Sequence, residues 1–325
     1  MNNLLAVRGL RIKLPTASGM STVVDGIDFD VERQQVFGIA GESGSGKTMT
    51  VLALLGLLPD GAVVEGSAKF EDRELLKLRG RSMRDVRGVE IAMVFQDPMT
   101  SLHPMMTIER QLTEHVRFHM GLARPQARER AIELLNEVRI PNPRGALSAY
   151  PHQFSGGMRQ RIAIAIALAC KPRMLIADEP TTALDVTVQA GVLRLLDRLR
   201  VQSGLSVVMI THDLGVMSSI ADRLSVMYAG RIVESGRTSE LLEHPRHPYT
   251  AGLLAALPHP EAATETELHA IRGSPPSPLA RPAGCAFHPR CEFAEASCKV
   301  DVPVLRPSGD GRMLACPPDP FAVRV

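Results

Sequence analysis

The sequence lacks an excess of charge of either sign. Its 325 residues carry 37 Lys and Arg against 35 Asp and Glu, which gives a formal net charge of +2. This balance offers no electrostatic reason to expect a nucleic-acid or anionic-membrane partner, and no run of Lys and Arg overrides it. We therefore expect no nucleic-acid partner. The chain is long enough for one large α/β domain with an appendage, or for two domains.

Long hydrophobic runs are also missing. The most apolar stretches, residues 51–58 and 162–169, are far shorter than the roughly 20 residues that cross a bilayer as a helix. The first residues, MNNLLAVRGLRI, lack the basic start and apolar core of a signal peptide. We expect a cytosolic protein that would serve a membrane only by docking to other subunits.

Cysteine is scarce except near the C-terminus. Cys170 stands alone, whereas the other four are Cys285, Cys291, Cys298 and Cys316. Their spacings are wide for structural zinc, which favours pairs two to four residues apart. Four thiolates are the ligand set of a [4Fe–4S] cluster, and Pro317 follows Cys316 as a proline follows the last Cys of a bacterial ferredoxin run. We predict an iron–sulfur cluster, with zinc and metal-free thiols as alternatives. Either metal would supply folding energy to a proline-rich segment without a large core.

A glycine-rich turn is the clearest motif present. The sequence GESGSGKT fits the phosphate-binding pattern G-x-x-x-x-G-K-[ST] between an apolar run at 36–40 and a helix-like segment at 49–58. Backbone N–H groups and a helix N-terminus would face phosphate oxygens, with a Lys at the β- and γ-phosphates and a Thr at Mg²⁺. The predicted nucleotide-binding residues are Gly41, Glu42, Ser43, Gly44, Ser45, Gly46, Lys47 and Thr48.

Polar side chains follow three other strand-like runs. Gln96 ends the run 89–95, Asp178 and Glu179 end the run 174–177, and His212 follows the run 205–210. Groups at the carboxyl ends of parallel strands are placed to face a bound ligand. A carboxylate pair there suits Mg²⁺ coordination and activation of water, and a His suits a contact to the γ-phosphate.

Helical periodicity dominates residues 108–119 and 127–138, which predicts an inserted helical subdomain at about residues 100–165. It ends in a second turn suited to anions, formed by Ser155, Gly156 and Gly157 at the start of an apolar helix. Before the phosphate loop, apolar residues alternate with polar ones, which predicts antiparallel strands.

The order of these motifs, GESGSGKT, Gln96, FSGGMRQ, LIADE, ALD and His212, resembles the ATP-binding cassette ATPases over about the first four-fifths of the chain. The stretches QDPMTSL and HPYTAGLL and the Met158 variant of the signature are similar to the dipeptide, oligopeptide and nickel importer branch. The resemblance implies an α/β fold: a P-loop NTPase core with a parallel sheet, an N-terminal antiparallel β subdomain and an inserted helical signature subdomain. It implies domains at 1–257 and 258–325, the second a small Cys-rich extension, which in some members of the branch holds an iron–sulfur cluster.

The resemblance also implies residue roles. The loop and Asp178 would hold ATP, with Thr48, Gln96 and Asp178 at Mg²⁺. Glu179 would be the catalytic base, Gln96 a sensor of the metal site and His212 a γ-phosphate contact. Ser155, Gly156 and Gly157 would complete a site on the opposite cassette, because two cassettes sandwich two ATP molecules head to tail. The ALD motif adds Asp185 to the nucleotide-binding set.

The function that the resemblance implies is an ATPase subunit of an importer for dipeptides, oligopeptides or a related solute, at the cytoplasmic face of the inner membrane. Its partners would be a second cassette, expected to be a non-identical paralogue, two transmembrane permease subunits and an extracytoplasmic solute-binding protein. Alternatives are an importer ATPase for nickel or glutathione, and a soluble cassette ATPase of DNA repair or translation. The last group usually has a coiled-coil insertion or tandem cassettes, and neither occurs in this sequence.

One departure concerns the adenine base. Residues 13–20 contain no aromatic side chain where such cassettes often stack one on adenine, and Leu14 lies at about the expected place. Leucine packs on a base but lacks the stacking contribution of an aromatic ring. We expect weaker or less selective nucleotide binding as a result.

Overall fold

The computed structural model describes residues 3–96, 101–182, 184–257, 271–309 and 311–322. Two compact units share the chain. The first, here the loop unit, is drawn from Met1–Val31, Phe37–Lys77 and Thr211–Val325, and the second, here the helical unit, from Glu32–Val36 and Leu78–Ile210. The predicted start of the C-terminal extension at residue 258 lies outside the described residues, as do residues 97–100 of the QDPMTSL stretch and Ala183.

The strands are β1 (Asn3–Thr16), β2 (Gly19–Glu32), β3 (Val36–Ala40), β4 (Val63–Phe70), β5 (Arg73–Glu74), β6 (Ile91–Val94), β7 (Met174–Asp178), β8 (Ser206–Thr211), β9 (Arg223–Tyr228), β10 (Arg231–Arg237), β11 (Arg306–Pro307) and β12 (Met313–Leu314). The helices are α1 (Lys47–Leu54), α2 (Gly80–Arg84), α3 (Ile108–Met120), α4 (Arg124–Glu137), α5 (Pro143–Ala146), α6 (Gly156–Ala167), α7 (Val186–Ser203), α8 (Leu214–Ile220), α9 (Thr238–Glu243) and α10 (Pro248–Ala255). Among them, none combines the length and the apolar composition that crossing a bilayer requires.

In the loop unit, the N-terminal strands form a sheet in the order β2-β1-β4-β5. Strand β1 pairs antiparallel with β4, with Val7 opposite Ala68 and Ile12 opposite Val64. Leu5, Val7 and Ile12 are buried on β1, so its apolar side chains face the core as the alternation predicts. The expectation of antiparallel strands before the phosphate loop is confirmed.

A second group of strands in the loop unit carries the phosphate loop. Strand β3 pairs parallel with β9, and β9 pairs antiparallel with β10. The C-terminal segment then extends this sheet, because β12 pairs antiparallel with β10 and β11 with β12. The described part of the C-terminal segment therefore belongs to the same unit as the phosphate loop.

The helical unit combines parallel strands with most of the helices. Strand β7 pairs parallel with β6 and with β8, which aligns Ala177 with Val94 and Asp178 with Ile210. Helices α3 to α6 occupy the chain between β6 and β7. Helix α3 begins at the Thr107 cap, whose side chain accepts a hydrogen bond from the backbone of Arg110, and ends at Gly121 in the left-handed region. Parallel and antiparallel strands together confirm the α/β class predicted from the sequence.

Aromatic packing and ion pairs order the C-terminal segment. The Phe287 ring is 3% exposed and lies 5.2 Å from Tyr228 and 5.4 Å from Tyr249, centroid to centroid. Arg281 pairs with Asp25 at 3.1 Å, and Arg246 pairs with Asp319. Buried aromatic side chains contribute the largest apolar areas in small cores. These contacts hold the C-terminal segment in a defined conformation, which its proline-rich sequence does not predict.

The structure does not support the predicted four-cysteine metal centre. Across the described residues, which include all four cysteines, no group of three or more His, Cys, Asp or Glu side chains is arranged to hold a metal ion. The thiols do interact electrostatically: burial, and then Cys285, Cys291 and Cys298, raise the pKa of Cys316 to about 12. The contacts of Phe287 and the two ion pairs are the ones that hold the C-terminal segment in this structure.

Removal of metals tests this anchoring. Because Phe287 and the ion pairs hold the C-terminal segment in place, we expect treatment with a strong chelator to leave the resistance of that segment to proteolysis unchanged. The matched variant Phe287→Ala should lose that resistance, since truncation of a buried Phe costs about 3 to 5 kcal/mol. Limited proteolysis followed by mass spectrometry is the measurement. Release of the segment by the chelator alone would contradict the account and restore the predicted metal centre.

A buried polar cluster joins β10 to α10. Glu234 is fully buried and accepts hydrogen bonds from the backbone N–H groups of Arg246 and His247. His247 is itself 2% exposed, and its Nδ1 accepts a hydrogen bond from the backbone of Tyr249, which caps α10. Burial lowers the pKa of His247 from 6.5 to about 3. His247 is therefore neutral in the folded protein at every pH above that value.

This burial predicts acid sensitivity. Between pH 6.5 and 3 the unfolded chain binds a proton at residue 247 that the folded chain does not, so stability falls as the pH falls. From pH 7 to pH 5 we expect the contribution of His247 to the free energy of unfolding to drop by about 2 kcal/mol. The variant His247→Asn keeps a capping side chain without the titration and should lose less stability over that range. Urea unfolding at both pH values measures this, and equal losses in the two proteins would contradict it.

Candidate functional site

The phosphate loop runs from the end of β3 into α1 and is packed tightly inside the loop unit. A Cβ on Gly41 would lie 2.2 Å from the carbonyl oxygen of Met227, and one on Gly46, whose φ is +102°, would lie 2.9 Å from the carbonyl oxygen of Val23. Neither position has room for a side chain. The backbone N–H of Gly230 donates to the carbonyl oxygen of Ser45 at 2.9 Å. The loop is thereby fixed by its surroundings.

The side chain of Lys47 folds back into the glycine-rich turn that precedes it. Its Nζ donates to the carbonyl oxygens of Gly41 at 2.7 Å and Glu42 at 2.9 Å, and the residue is only 6% exposed. Thr48 is the next residue of α1, whose first turn contains no acidic side chain. An ammonium group and an uncompensated helix N-terminus at one turn provide positive potential for an anion. The loop is chemically suited to phosphate.

A second polar cluster lies at the end of β7 in the helical unit. Glu179 Oε2 accepts hydrogen bonds from Gln96 Nε2 and from Thr182 Oγ1, both at 2.9 Å. Glu179 has a φ of 47°, in the left-handed region that a residue with a side chain rarely adopts. Its backbone N–H donates to the carbonyl oxygen of Ile210 at 2.8 Å. Asp178, the residue before it, ends β7 and is 3% exposed. Gln96 and Glu179, each predicted to follow a strand, are joined here by a side-chain hydrogen bond.

Thr182 is a member of this cluster that sequence reasoning missed. Its hydroxyl and Gln96 orient one carboxylate oxygen of Glu179, and the backbone N–H of Thr182 donates to the carbonyl of Glu179 at 3.2 Å. Its position in the sequence could have revealed it. Thr182 comes three residues after Glu179, and a turn at this point brings the two residues together. Strain and two hydrogen bonds together define the direction of this carboxylate.

The signature turn also lies in the helical unit. Ser155 caps α6 by accepting a hydrogen bond from the backbone of Met158 at 3.3 Å. A Cβ on Gly157 would lie 2.3 Å from Val188 in the first turn of α7, so the two helices approach closely here. Asp185 caps α7, its Oδ1 accepting from the backbone of Val188 at 2.9 Å. This capping role of Asp185 was not foreseen from the sequence.

His212 belongs to the loop unit and follows β8. Its side chain is exposed. The next residue, Asp213, caps α8 by accepting hydrogen bonds from the backbone of Gly215 and Val216, and its own N–H donates to Thr211 Oγ1. The phosphate loop and His212 are thus carried by one unit, and Gln96, Asp178, Glu179, Asp185 and the signature turn by the other.

Two further contacts to the phosphate loop were missed by sequence reasoning. The backbone N–H of Glu42 donates to the hydroxyl of Tyr249 at 2.8 Å. The Glu42 carboxylate forms a two-bond ion pair with the guanidinium of Arg290, at 2.7 and 3.0 Å. No local pattern reveals a pair separated by 248 positions. Glu42 therefore contributes to the loop as a structural anchor.

Comparison with protein families matches two regions of the chain. Residues 24–182 match the family described as ABC transporter. Residues 233–298 match the family described as oligopeptide/dipeptide transporter, C-terminal region. The first region includes the phosphate loop, Gln96, the signature turn and the carboxylates, and the second includes Tyr249, Arg290 and three of the four C-terminal cysteines.

The similarity to individual proteins extends over nearly the whole chain. The oligopeptide transport ATP-binding protein OppD of Haemophilus influenzae is 45% identical over 97% of this chain and 97% of its own length. OppD of Escherichia coli is 45% identical over 96% of this chain and 92% of its own length.

Among solved structures, a post-hydrolysis dimer of the ATP-binding cassette MJ0796 with ADP and phosphate has a TM-score of 0.65 at 24% identity, covering 72% of this chain and 98% of that one. This likeness establishes the P-loop NTPase fold of a cassette. The chain belongs to the ABC transporter family of ATP-binding proteins.

Proposed function

We propose that this chain is the ATP-hydrolysing subunit of an ABC importer for oligopeptides or dipeptides. One observation carries the proposal: a cassette and an oligopeptide-type C-terminal region occur in one chain that is similar over almost its full length to oligopeptide transport ATP-binding proteins. The C-terminal match favours an importer over an ATPase of DNA repair or translation. The names of those relatives favour peptides over nickel or glutathione.

In this proposal the phosphate loop binds the triphosphate of ATP. The backbone around Ser43 and Gly44 is exposed at the start of α1, and the Lys47 ammonium lies behind it, held by loop carbonyls. Binding would exchange those carbonyl contacts of Lys47 for contacts to phosphate oxygens, which are stronger because both partners are charged. His212 would add a donor to the γ-phosphate.

The hydroxyl of Thr48, the amide oxygen of Gln96 and the carboxylate of Asp178 are the proposed ligands of Mg²⁺. Oxygen donors of this kind are the ones that Mg²⁺ prefers. When bound, the ion neutralises charge that develops on the phosphate oxygens during transfer. Asp178 is nearly fully buried at the end of β7, where few competing water molecules reach it.

Glu179 is the proposed general base. A base must present one oxygen in a fixed direction to the attacking water. Gln96 and Thr182 both donate to Oε2 of Glu179 and thereby hold the carboxylate that would accept the proton of water in one orientation. We infer that the strained φ of Glu179 serves to aim this carboxylate.

The signature turn is proposed to act on a second nucleotide. Ser155, Gly156 and Gly157 would contact ATP held by another cassette, and Asp185 would lie at the same interface. The partners of this chain would then be a second, non-identical cassette, two permease subunits and an extracytoplasmic binding protein. The chain would lie peripherally at the cytoplasmic face of the membrane, with its inserted helices at 100–165 docked on the permeases. We retain 1–257 and 258–325 as the proposed domains.

The role of Glu179 predicts a separation of binding from hydrolysis. Glu179→Gln retains a hydrogen-bonding side chain but cannot take a proton, so phosphate release by the assembled transporter should fall at least about 100-fold. ATP affinity should be unchanged. Glu243→Gln, which alters an exposed glutamate of α9, is the matched control. A variant of Glu179 with near-normal turnover would contradict its assignment as the base.

The side chain at position 14 predicts a gain in affinity. Leu14→Tyr supplies an aromatic ring at the expected adenine contact on β1, and stacking should strengthen ATP binding by about 0.5 to 1.5 kcal/mol. Leu14→Met, which adds no ring, is the control and should change little. Equilibrium titration with a fluorescent ATP analogue measures both. Equal affinities for the wild type and the Tyr variant would show that this position does not contact the base.

A further inference from the structure

The strongest link between the C-terminal segment and the phosphate loop is the pair Arg290 and Glu42. Two parallel bonds join them, Nη1 to Oε2 at 2.7 Å and Nη2 to Oε1 at 3.0 Å. The Arg290 side chain is 6% exposed and that of Glu42 is 26% exposed. Two-bond pairs of arginine and carboxylate combine charge with a fixed planar geometry, and burial reduces their screening by solvent. This pair therefore sets an orientation as well as a distance.

Arg290 is itself held on several sides. Its Nε donates to the carbonyl oxygen of Arg272 at 2.9 Å. The guanidinium carbon lies 5.9 Å from the ring centroids of both Tyr228 and Phe287. The hydrogen bond to Glu42 raises the pKa of Arg290 further, so the guanidinium stays charged. An arginine with this many fixed partners is a rigid support for the carboxylate that it binds.

Glu42 transmits this support to the proposed phosphate-binding lysine, Lys47. The carbonyl oxygen of Glu42 accepts a hydrogen bond from Lys47 Nζ at 2.9 Å, and its backbone N–H donates to Tyr249. The side chain of Glu42 is bound to the C-terminal segment, its N–H to α10 and its carbonyl to Lys47. A shift of the Glu42 carboxylate would move the peptide groups that orient the ammonium of Lys47. Catalytic and binding groups lose effect when displaced by about 1 Å.

We propose that Arg290 is a positioning residue for the phosphate loop: through Glu42 it holds the loop and the Lys47 ammonium in the geometry that receives a triphosphate. The C-terminal segment then sets the affinity of the nucleotide site by docking beside it. This inference rests on the proposed binding of ATP at the loop. It assigns the segment a role in the cassette that requires no metal.

A second ion pair provides a control for docking alone. Arg246 pairs with Asp319 and also donates to the carbonyl oxygen of Ser308, so this pair anchors the C-terminal segment through residues other than Glu42 and Arg290. Asp319 has a φ of 41°, which asparagine tolerates, so Asp319→Asn removes the charge without straining the backbone. This variant weakens an anchor of the C-terminal segment and leaves Arg290 unchanged.

The experiment measures the dissociation constant of ATP and the steady-state kinetics of the assembled transporter. Arg290→Ala should raise the dissociation constant about tenfold, which corresponds to about 1.4 kcal/mol. KM should rise with it while kcat at saturating ATP stays within about twofold, because bound ATP restores the loop. Arg290→Lys keeps the charge but loses the planar two-bond geometry, so its dissociation constant for ATP should lie between those of the wild type and of Arg290→Ala. Asp319→Asn should bind ATP as the wild type does.

A double-mutant cycle keeps the test valid even if Arg290→Ala alone folds poorly. Glu42→Gln removes the carboxylate charge and should weaken ATP binding to a similar degree, and adding Arg290→Ala should cause little further loss. Unchanged affinity in Arg290→Ala and Glu42→Gln would overturn the proposal, as would an equal loss in Asp319→Asn. Failure of the wild-type transporter to bind ATP would instead overturn the proposed function of the loop.

Discussion

The backbone of the phosphate loop is packed against its neighbours so closely that no side chain fits at two of its glycines. Gly41 meets the carbonyl of Met227 at the end of β9, and Gly46 meets that of Val23 on β2. The loop can therefore take only the path that β2, β3 and β9 allow, and that path directs Lys47 back towards the loop carbonyls. A site built in this way needs little reorganisation when an anion binds, which favours tight and specific binding of phosphate.

The C-terminal segment completes the surroundings of this loop. Phe287 packs against Tyr228 and Tyr249, Tyr249 accepts a hydrogen bond from Glu42, and Arg290 pairs with the same residue. Apolar burial gives the segment its stability, and the charged contact gives it a specific position. The described part of the segment thus packs within the same compact unit as the phosphate loop, which explains how a proline-rich stretch with few periodic residues is ordered.

The features predicted correctly from the sequence are those encoded locally. The strand at 36–40 coincides with β3, because an apolar run followed by a glycine-rich turn specifies a buried strand. The hydrogen bond between Gln96 and Glu179, by contrast, was not predicted, because the position of each residue after a strand does not say which side chains will meet. Arg290, Tyr249 and Thr182 were missed because their roles depend on tertiary contacts between distant positions. Whether distant cysteines lie together is likewise decided by the fold. Cys316 lies close enough to Cys285, Cys291 and Cys298 for them to raise the pKa of its thiol, yet in the described residues no group of three or more metal-ligating side chains is arranged to hold an ion.

The central claim is that the loop is one half of a catalytic site, completed by a signature turn from another cassette. The most direct test is the ATP turnover of the isolated chain, shown to be monomeric by light scattering, compared with that of the same chain in the assembled transporter. The account predicts that the monomer binds ATP but hydrolyses it at least about 100-fold more slowly, because it lacks the stabilising groups of the second cassette. Equal turnover per chain in the two preparations would contradict it.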